Sequence, residues 1–367
     1  MTVAQTRLLL AALLTLLLAV SIATAQSTPK QSAHASFQSA TTALASLPEA
    51  DTIIYTSPQR ILTEAAPKIM SPIELTNMRD DFASMKKNAG IDPSSIEYLV
   101  MAFRFQKPTG DLSFVPPDVL AVISGDFSAD SLLTLGGIFL QDRARTEKYG
   151  SKTLTIMQVD AIAELAQQNP LLKSFSELSA VALNSNTLAI GNTAYIKAAV
   201  DAADGNGRIN QATVNSLLRD PNALVSAAGS PLSAFAKSFG LLGTQTTPRE
   251  NNCNSRFGDF YAAVTMDNVN LNLRGAMNTD NPDTAKIIHG LLTGLMQTAA
   301  SSITDKNLQA GMKNLRLSPK DNEIVLEADI PQDLVVDFVK DQMKSKPTTP
   351  NTVPKKPLVK RRVRRKQ

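Results

Sequence analysis

Four times along this chain, two β-rich segments lead through a short polar junction into a helical stripe. That recurrence limits the fold more than any other feature. Glu97 to Phe105 and Asp118 to Gly125 run through Asp126-Phe127-Ser128 into a helix predicted to end at Leu140. Ser179 to Leu183 and Thr187 to Ile190 run through Gly191-Asn192-Thr193 into a helix ending at Ala203. Phe260 to Met266 and Asn270 to Ala276 run through Asn278-Thr279-Asp280 into a helix over Pro282 to Ala300. Lys313 to Leu317 and Ile324 to Ala328 run through Asp329-Ile330-Pro331 into a helix ending near Met343. At each junction the apolar period changes from 2 to 3.6, and short polar side chains stand where a helix start leaves N–H groups unpaired.

The remaining segments fit around these units. Asp51 to Thr56 reads as a strand, followed by Ser57-Pro58 as N-cap and first helical residue, and a second helix spans Ile73 to Asn88 before Gly90. Thr146 to Tyr149 and Lys152 to Val159 form a hairpin around Gly150-Ser151 that leads to a helix near Asp160. Asn222 to Ala228 with Ser230-Pro231 and a helix to Leu242 echoes the Asp51 opening, which points to an internal duplication. The expected fold class is α+β: antiparallel sheets with helices packed on one face, built from repeated strand-strand-helix units. The expected divisions are a signal peptide (1–25), a flexible spacer (26–44), a first α+β domain (45–218), a second (219–343) and a basic tail (344–367). One sheet shared by both halves is the alternative.

The N-terminus has the three-part grammar of a secretory signal. Arg7 is followed by an apolar run from Leu8 to Ala23, and Ala23-Thr24-Ala25 before Gln26 fits a small-x-small cleavage site. The run is shorter than the roughly 20 apolar residues of a membrane span, so an uncleaved anchor is the weaker reading and the mature chain is expected to have no transmembrane helix. No cysteine stands at the cleavage site to carry a lipid. The expected location is periplasmic or extracellular in a bacterial envelope. Cys253 is the only cysteine, so no internal disulfide can form, and its setting in Asn251-Asn252-Cys253-Asn254-Ser255 reads as a loop.

The net charge of +4 conceals two oppositely charged parts. From Lys344 onward there are ten Lys and Arg and no acid; without those ten and Arg7, 26 basic residues face 33 acidic ones. An acidic body therefore carries a cationic tail, and four prolines (347, 350, 354 and 357) keep that tail from regular structure. Lys355, Lys356, Lys360, Arg361, Arg362, Arg364, Arg365 and Lys366 are its candidate contacts with an anionic envelope surface, either lipid head groups or glycans. No aromatic residue interrupts the tail, which argues against base stacking and nucleic acid. A protein partner for the body is the other expectation.

Catalytic chemistry finds little footing. Of two histidines, His34 lies in the spacer and His289 among Ile287, Ile288, Leu291 and Leu292 on a helix, where packing explains it; no histidine-based zinc site or triad follows. Ser84 and Lys87 have Ser-x-x-Lys spacing without the companion Ser-Asp-Asn and Lys-Thr-Gly elements. Gly150-Ser-Lys-Thr153 lacks the upstream glycine of a phosphate loop. Asp204-Gly-Asn-Gly-Arg-Ile209 has the middle of a calcium loop, but Ala202 and Thr213 fall where its anchoring carboxylates belong, so a helix-ending turn is expected. Asp80-Asp81 reads as a solvated helix face. No metal or cofactor is expected.

The opening Asp51-Thr-Ile-Ile-Tyr-Thr56 with its helix, the strand-strand-helix units and Leu188-Ala-Ile-Gly191 together resemble a set of uncharacterised exported bacterial proteins. The resemblance implies a similar fold and export and supplies no catalytic residues. The functional expectation is an exported, non-enzymatic binding or scaffold protein held by its tail. The alternatives are an envelope hydrolase using carboxylates or a Ser/Lys pair, and a chaperone-like or inhibitory partner of another exported protein.

Overall fold

The computed structural model describes residues 44, 46–89, 92–105, 117–140, 143–158, 175–230, 258–302 and 306–337. The strands are β1 (Thr52–Thr56), β2 (Ile96–Arg104), β3 (Asp118–Gly125), β4 (Ala144–Tyr149), β5 (Lys152–Gln158) and β6 (Glu177–Asn184). They continue with β7 (Thr187–Gly191), β8 (Val225–Gly229), β9 (Phe260–Met266), β10 (Asn270–Asn278), β11 (Leu315–Lys320) and β12 (Glu323–Pro331). Helix α1 covers 58–69 as Pro58–Arg60, a π-helical stretch Ile61–Ala65 and Ala66–Ile69. The other labelled helices are α2 (Pro72–Ala89), α3 (Ala129–Leu140), α4 (Thr193–Ala203), α5 (Gln211–Leu217), α6 (Pro282–Ser302) and α7 (Lys306–Lys313).

The protein is a mixed α/β structure around one large antiparallel sheet. Among the described residues its strand order is β11-β12-β10-β9-β8-β1-β2-β3-β7-β6-β5-β4. Strands β1 and β8 meet at the centre, with Thr52 opposite Gly229 and Thr56 opposite Val225. The expected strands are present with adjusted bounds: β4, β6, β7, β10 and β12 are longer than expected, β1 and β8 begin later, β2 and β11 are shifted, and β3 and β9 have the expected bounds.

Helices cover both faces, which corrects the expectation of one covered face. Successive strand residues point to opposite sides, and in β7 both sides are apolar. Ala189 joins a core with Tyr195, Ile196, Ala199 and Val200 of α4. Leu188 and Ile190 instead meet Ala129, Leu132 and Leu133 of α3. The α4 side also gathers Ile53, Val100, Leu120 and Ile156 from four strands. Each fully buried side chain of this size contributes about 1.5–3 kcal/mol. On the α3 side, Ile61, Leu62 and Ala65 of α1 pack with Leu224 and Val225, while Ala285 and Ile288 of α6 pack with Met277 and Ile324.

Two local readings are refined. Leu44 and Leu47 are 0% and 3% exposed in the main core, so the chain is anchored well before β1. Ser57 takes the N-cap position of α1 but makes no side-chain cap; its hydroxyl donates to the Glu97 carbonyl at 3.2 Å. Arg60 then clamps α1 to the approach of β8, donating to the carbonyls of Pro221, Asn222 and Ala223.

Candidate functional site

The two ends of the sheet differ in chemistry. At one end β1 begins, β2 finishes and β3 starts, and here charged groups converge. Arg104, the last residue of β2, pairs with Asp118, the first of β3, at 2.8 Å. The Asp118 side chain is only 8% exposed. The Arg104 guanidinium also lies 4.6 Å from the centre of the Tyr195 ring. Tyr195 stands in the first turn of α4 and donates its hydroxyl to the Glu49 carbonyl at 3.0 Å. Burial pushes its phenol well above the ordinary tyrosine range.

Asp51 completes this end. Its carboxylate accepts the Phe105 N–H at 2.7 Å, and its carbonyl accepts the Ser230 N–H at 2.7 Å. Burial raises its pKa; the Phe105 N–H works in the opposite direction, and nearby Glu49 adds to the rise. The cluster therefore ties together the ends of β1, β2, β3, β8 and α4. Nothing in the local sequence marks it, except that Arg104 and Asp118 carry opposite charges.

At the opposite end the β9–β10 turn acts as a hub. The Asp267 carboxylate accepts the N–H groups of Val269 and Asn270 at 2.7 Å each, and Asn272 Nδ2 at 2.9 Å. The Asn272 amide first, then those two N–H groups, hold its carboxyl down to about 2. Its carbonyl accepts Lys68 Nζ from α1 at 3.0 Å and Gln332 Nε2 at 2.8 Å. The Gln332 N–H donates to the Val269 carbonyl at 3.0 Å. Helix, turn and the chain beyond β12 thus meet at one point.

A third charged group fastens α4 to the β4 edge. Lys197 pairs with Glu147 at 2.6 Å, Arg145 with Glu177 at 2.9 Å, and Tyr149 donates to Asp201 at 3.0 Å. In the other wing Asp329 is flanked by Arg274 and by Arg316, the latter at 2.8 Å.

The residues singled out by sequence do not converge. Ser84, Lys87, Asp80 and Asp81 are exposed along α2. His289 is half-buried on α6 and its Nε2 is 3.2 Å from the Leu317 carbonyl oxygen. Asp204 caps α4, and the following turn carries Gly205 and Gly207 at positive φ before Ile209 enters the core. Among the described residues no three His, Cys, Asp or Glu side chains are placed to hold a metal ion. No helix among them is long and apolar enough to cross a membrane. Ala23, Ala25, Gln26, His34, Cys253 and the tail cations Lys355, Lys356, Lys360, Arg361, Arg362, Arg364, Arg365 and Lys366 lie outside the described residues.

No protein-family model matches the chain, and no curated protein does. Among solved structures it is similar to TP0453 in three crystal forms. Form III aligns with a TM-score of 0.42 at 10% identity, covering 81% of this chain and 97% of that one. Form IV gives 0.39 at 9% identity over 81% and 95%, and form I gives 0.40 at 9% over 81% and 96%.

Proposed function

We propose that this chain is an exported, non-enzymatic binding or scaffold protein of the cell envelope, held at an anionic surface by its C-terminal tail. The observation that carries the reading is the charge division: ten Lys and Arg and no acid from Lys344 onward, against a body in which acids outnumber bases. Each Lys or Arg near an anionic surface contributes about 1 kcal/mol, so several acting together suffice for attachment. The leader through Ala25 supports delivery to that compartment.

The body reads as a duplicated scaffold of strand-strand-helix units. What supports this is the strand order, β1-β2-β3-β7-β6 outward on one side of the central pair and β8-β9-β10-β12-β11 on the other. In each wing a helix follows the third strand, α3 after β3 and α6 after β10. The β4–β5 hairpin is then an addition to the first wing.

The test compares the mature chain with a version ending at Met343 for binding to anionic envelope material over a salt titration. The reading predicts strong, salt-sensitive binding that truncation largely removes. Unchanged affinity and salt slope after truncation refute it.

A further inference from the structure

We propose that the Asp267 end of the sheet is the lipid-facing end of the body, and that Ile73 and Val269 enter an anionic bilayer when the tail attaches. This deepens the tether reading and rests on it, and it commits the anionic surface to lipid.

The first ground is two strongly exposed apolar side chains at this end; Ile287 and Leu291 are exposed as well, on α6, which starts from the opposite end. Val269, in the β9–β10 turn, is 66% exposed, and Ile73, in the first turn of α2, is 73% exposed. Their backbones are fixed. Asp267 holds the Val269 N–H at 2.7 Å, so the turn presents the side chain outward. Ile73 sits inside a reciprocal cap in which the Ser71 N–H donates to Glu74 and the Glu74 N–H donates to the Ser71 hydroxyl. Lys68, near the end of α1, donates to the Asp267 carbonyl and brings the α1–α2 corner to this turn.

The second ground is where the chain departs. Gln332 binds the same turn through its N–H and its side chain, and 332–337 continues as helix. Lys344 follows seven residues after Asp337, and the other nine cations come after it. The described chain thus leaves the sheet at the end that carries the two apolar side chains, and the tail follows it in sequence. A surface that attracts the tail draws this end toward it first. Exposed Asp333 and Asp337 stand beside the root and oppose an anionic surface, but the ten cations outnumber them. The Asp267 carboxylate is engaged by its own turn and by Asn272.

The chain has no tryptophan, so one introduced indole reports its own surroundings. Three full mature variants, Val269→Trp, Ile73→Trp and Ser318→Trp, are mixed with vesicles of phosphatidylglycerol and phosphatidylcholine. Emission at 269 and 73 is expected to shift to the blue and to be quenched by brominated lipid, while emission at 318, on edge strand β11, stays unchanged. The pair Ile73→Ser with Val269→Ser is expected to lower vesicle affinity about tenfold. Protein that binds vesicles through its tail with no shift at 73 or 269 overturns the insertion and leaves the tether standing. Protein that binds anionic polysaccharide and not vesicles overturns the assignment to lipid. Failure to bind either overturns both readings.

Discussion

Lys68 donates its ammonium to the main-chain carbonyl of Asp267 at 3.0 Å, joining the helix after the first strand to a turn in the other wing of the sheet. The turn survives because the Asp267 carboxylate takes up its N–H groups. That carboxyl titrates near 2, below its ordinary 3.8, with the Asn272 amide as the leading cause. Its contribution is therefore complete above the ordinary value and fades as pH falls through the folded one. Asp267→Ala is expected to melt below the parent at neutral pH. Thermal scans from pH 7 to pH 2 should show the gap closing between about 4 and 2.

Thr52 and Thr56 lie on one face of β1, and the same substitution should act on them with opposite sign. Thr56 donates its hydroxyl to the Leu224 carbonyl at 3.1 Å, in a buried contact. The Thr52 hydroxyl is buried without a hydrogen-bond partner. Thr52→Val is expected to stabilise by about 1 kcal/mol, and Thr56→Val to cost about the same. Chemical denaturation of the two single variants checks this directly.

Removing Arg104 takes its guanidinium away from the nearly buried Asp118 carboxylate and from the face of the Tyr195 ring. Arg104→Met, which keeps an apolar stem under the ring, is expected to cost about 2–3 kcal/mol. Adding Asp118→Asn should recover part of that loss, because the charge that Arg104 faced is then gone. Additive losses in the double-mutant cycle would mean that the pair is not coupled.

Gly229 ends β8 at φ 152°, and a methyl group there would overlap the Asp51 carbonyl across the central strand pair. Gly229→Ala is expected to cost about 1–3 kcal/mol or more. Gly290 lies on the exposed side of α6 with open space around it, and Gly290→Ala should stabilise by about 0.5–1 kcal/mol. Melting temperatures of the two variants should move in opposite directions.

Individual elements were legible where local signals agreed. β3 and β9 are bounded by polar or glycine residues and filled with apolar ones, and both have the bounds that pattern predicts. β11 is shifted, because Pro319 reads as a break; on an edge strand its missing N–H costs no ladder bond. α5 was missed, since its buried apolar residues are only Val214 and Leu217 and its start depends on the Asn210 side chain accepting the Ala212 N–H. The side of the sheet taken by each helix is not encoded locally, because β7 is apolar on both faces and only the register assigns Leu188 to α3 and Ala189 to α4. The same holds for the charged cluster, since Asp51, Arg104, Asp118 and Tyr195 meet only once the strands pair.

The central claim is that cations of the tail hold the mature chain at an anionic lipid surface. The most direct measurement is vesicle affinity as Lys355, Lys356, Lys360, Arg361, Arg362, Arg364, Arg365 and Lys366 are converted stepwise to Gln in the full mature chain. The account predicts a progressive loss of up to about fivefold per cation removed, with a salt dependence that weakens in step. An affinity that stays constant through all eight substitutions would contradict it.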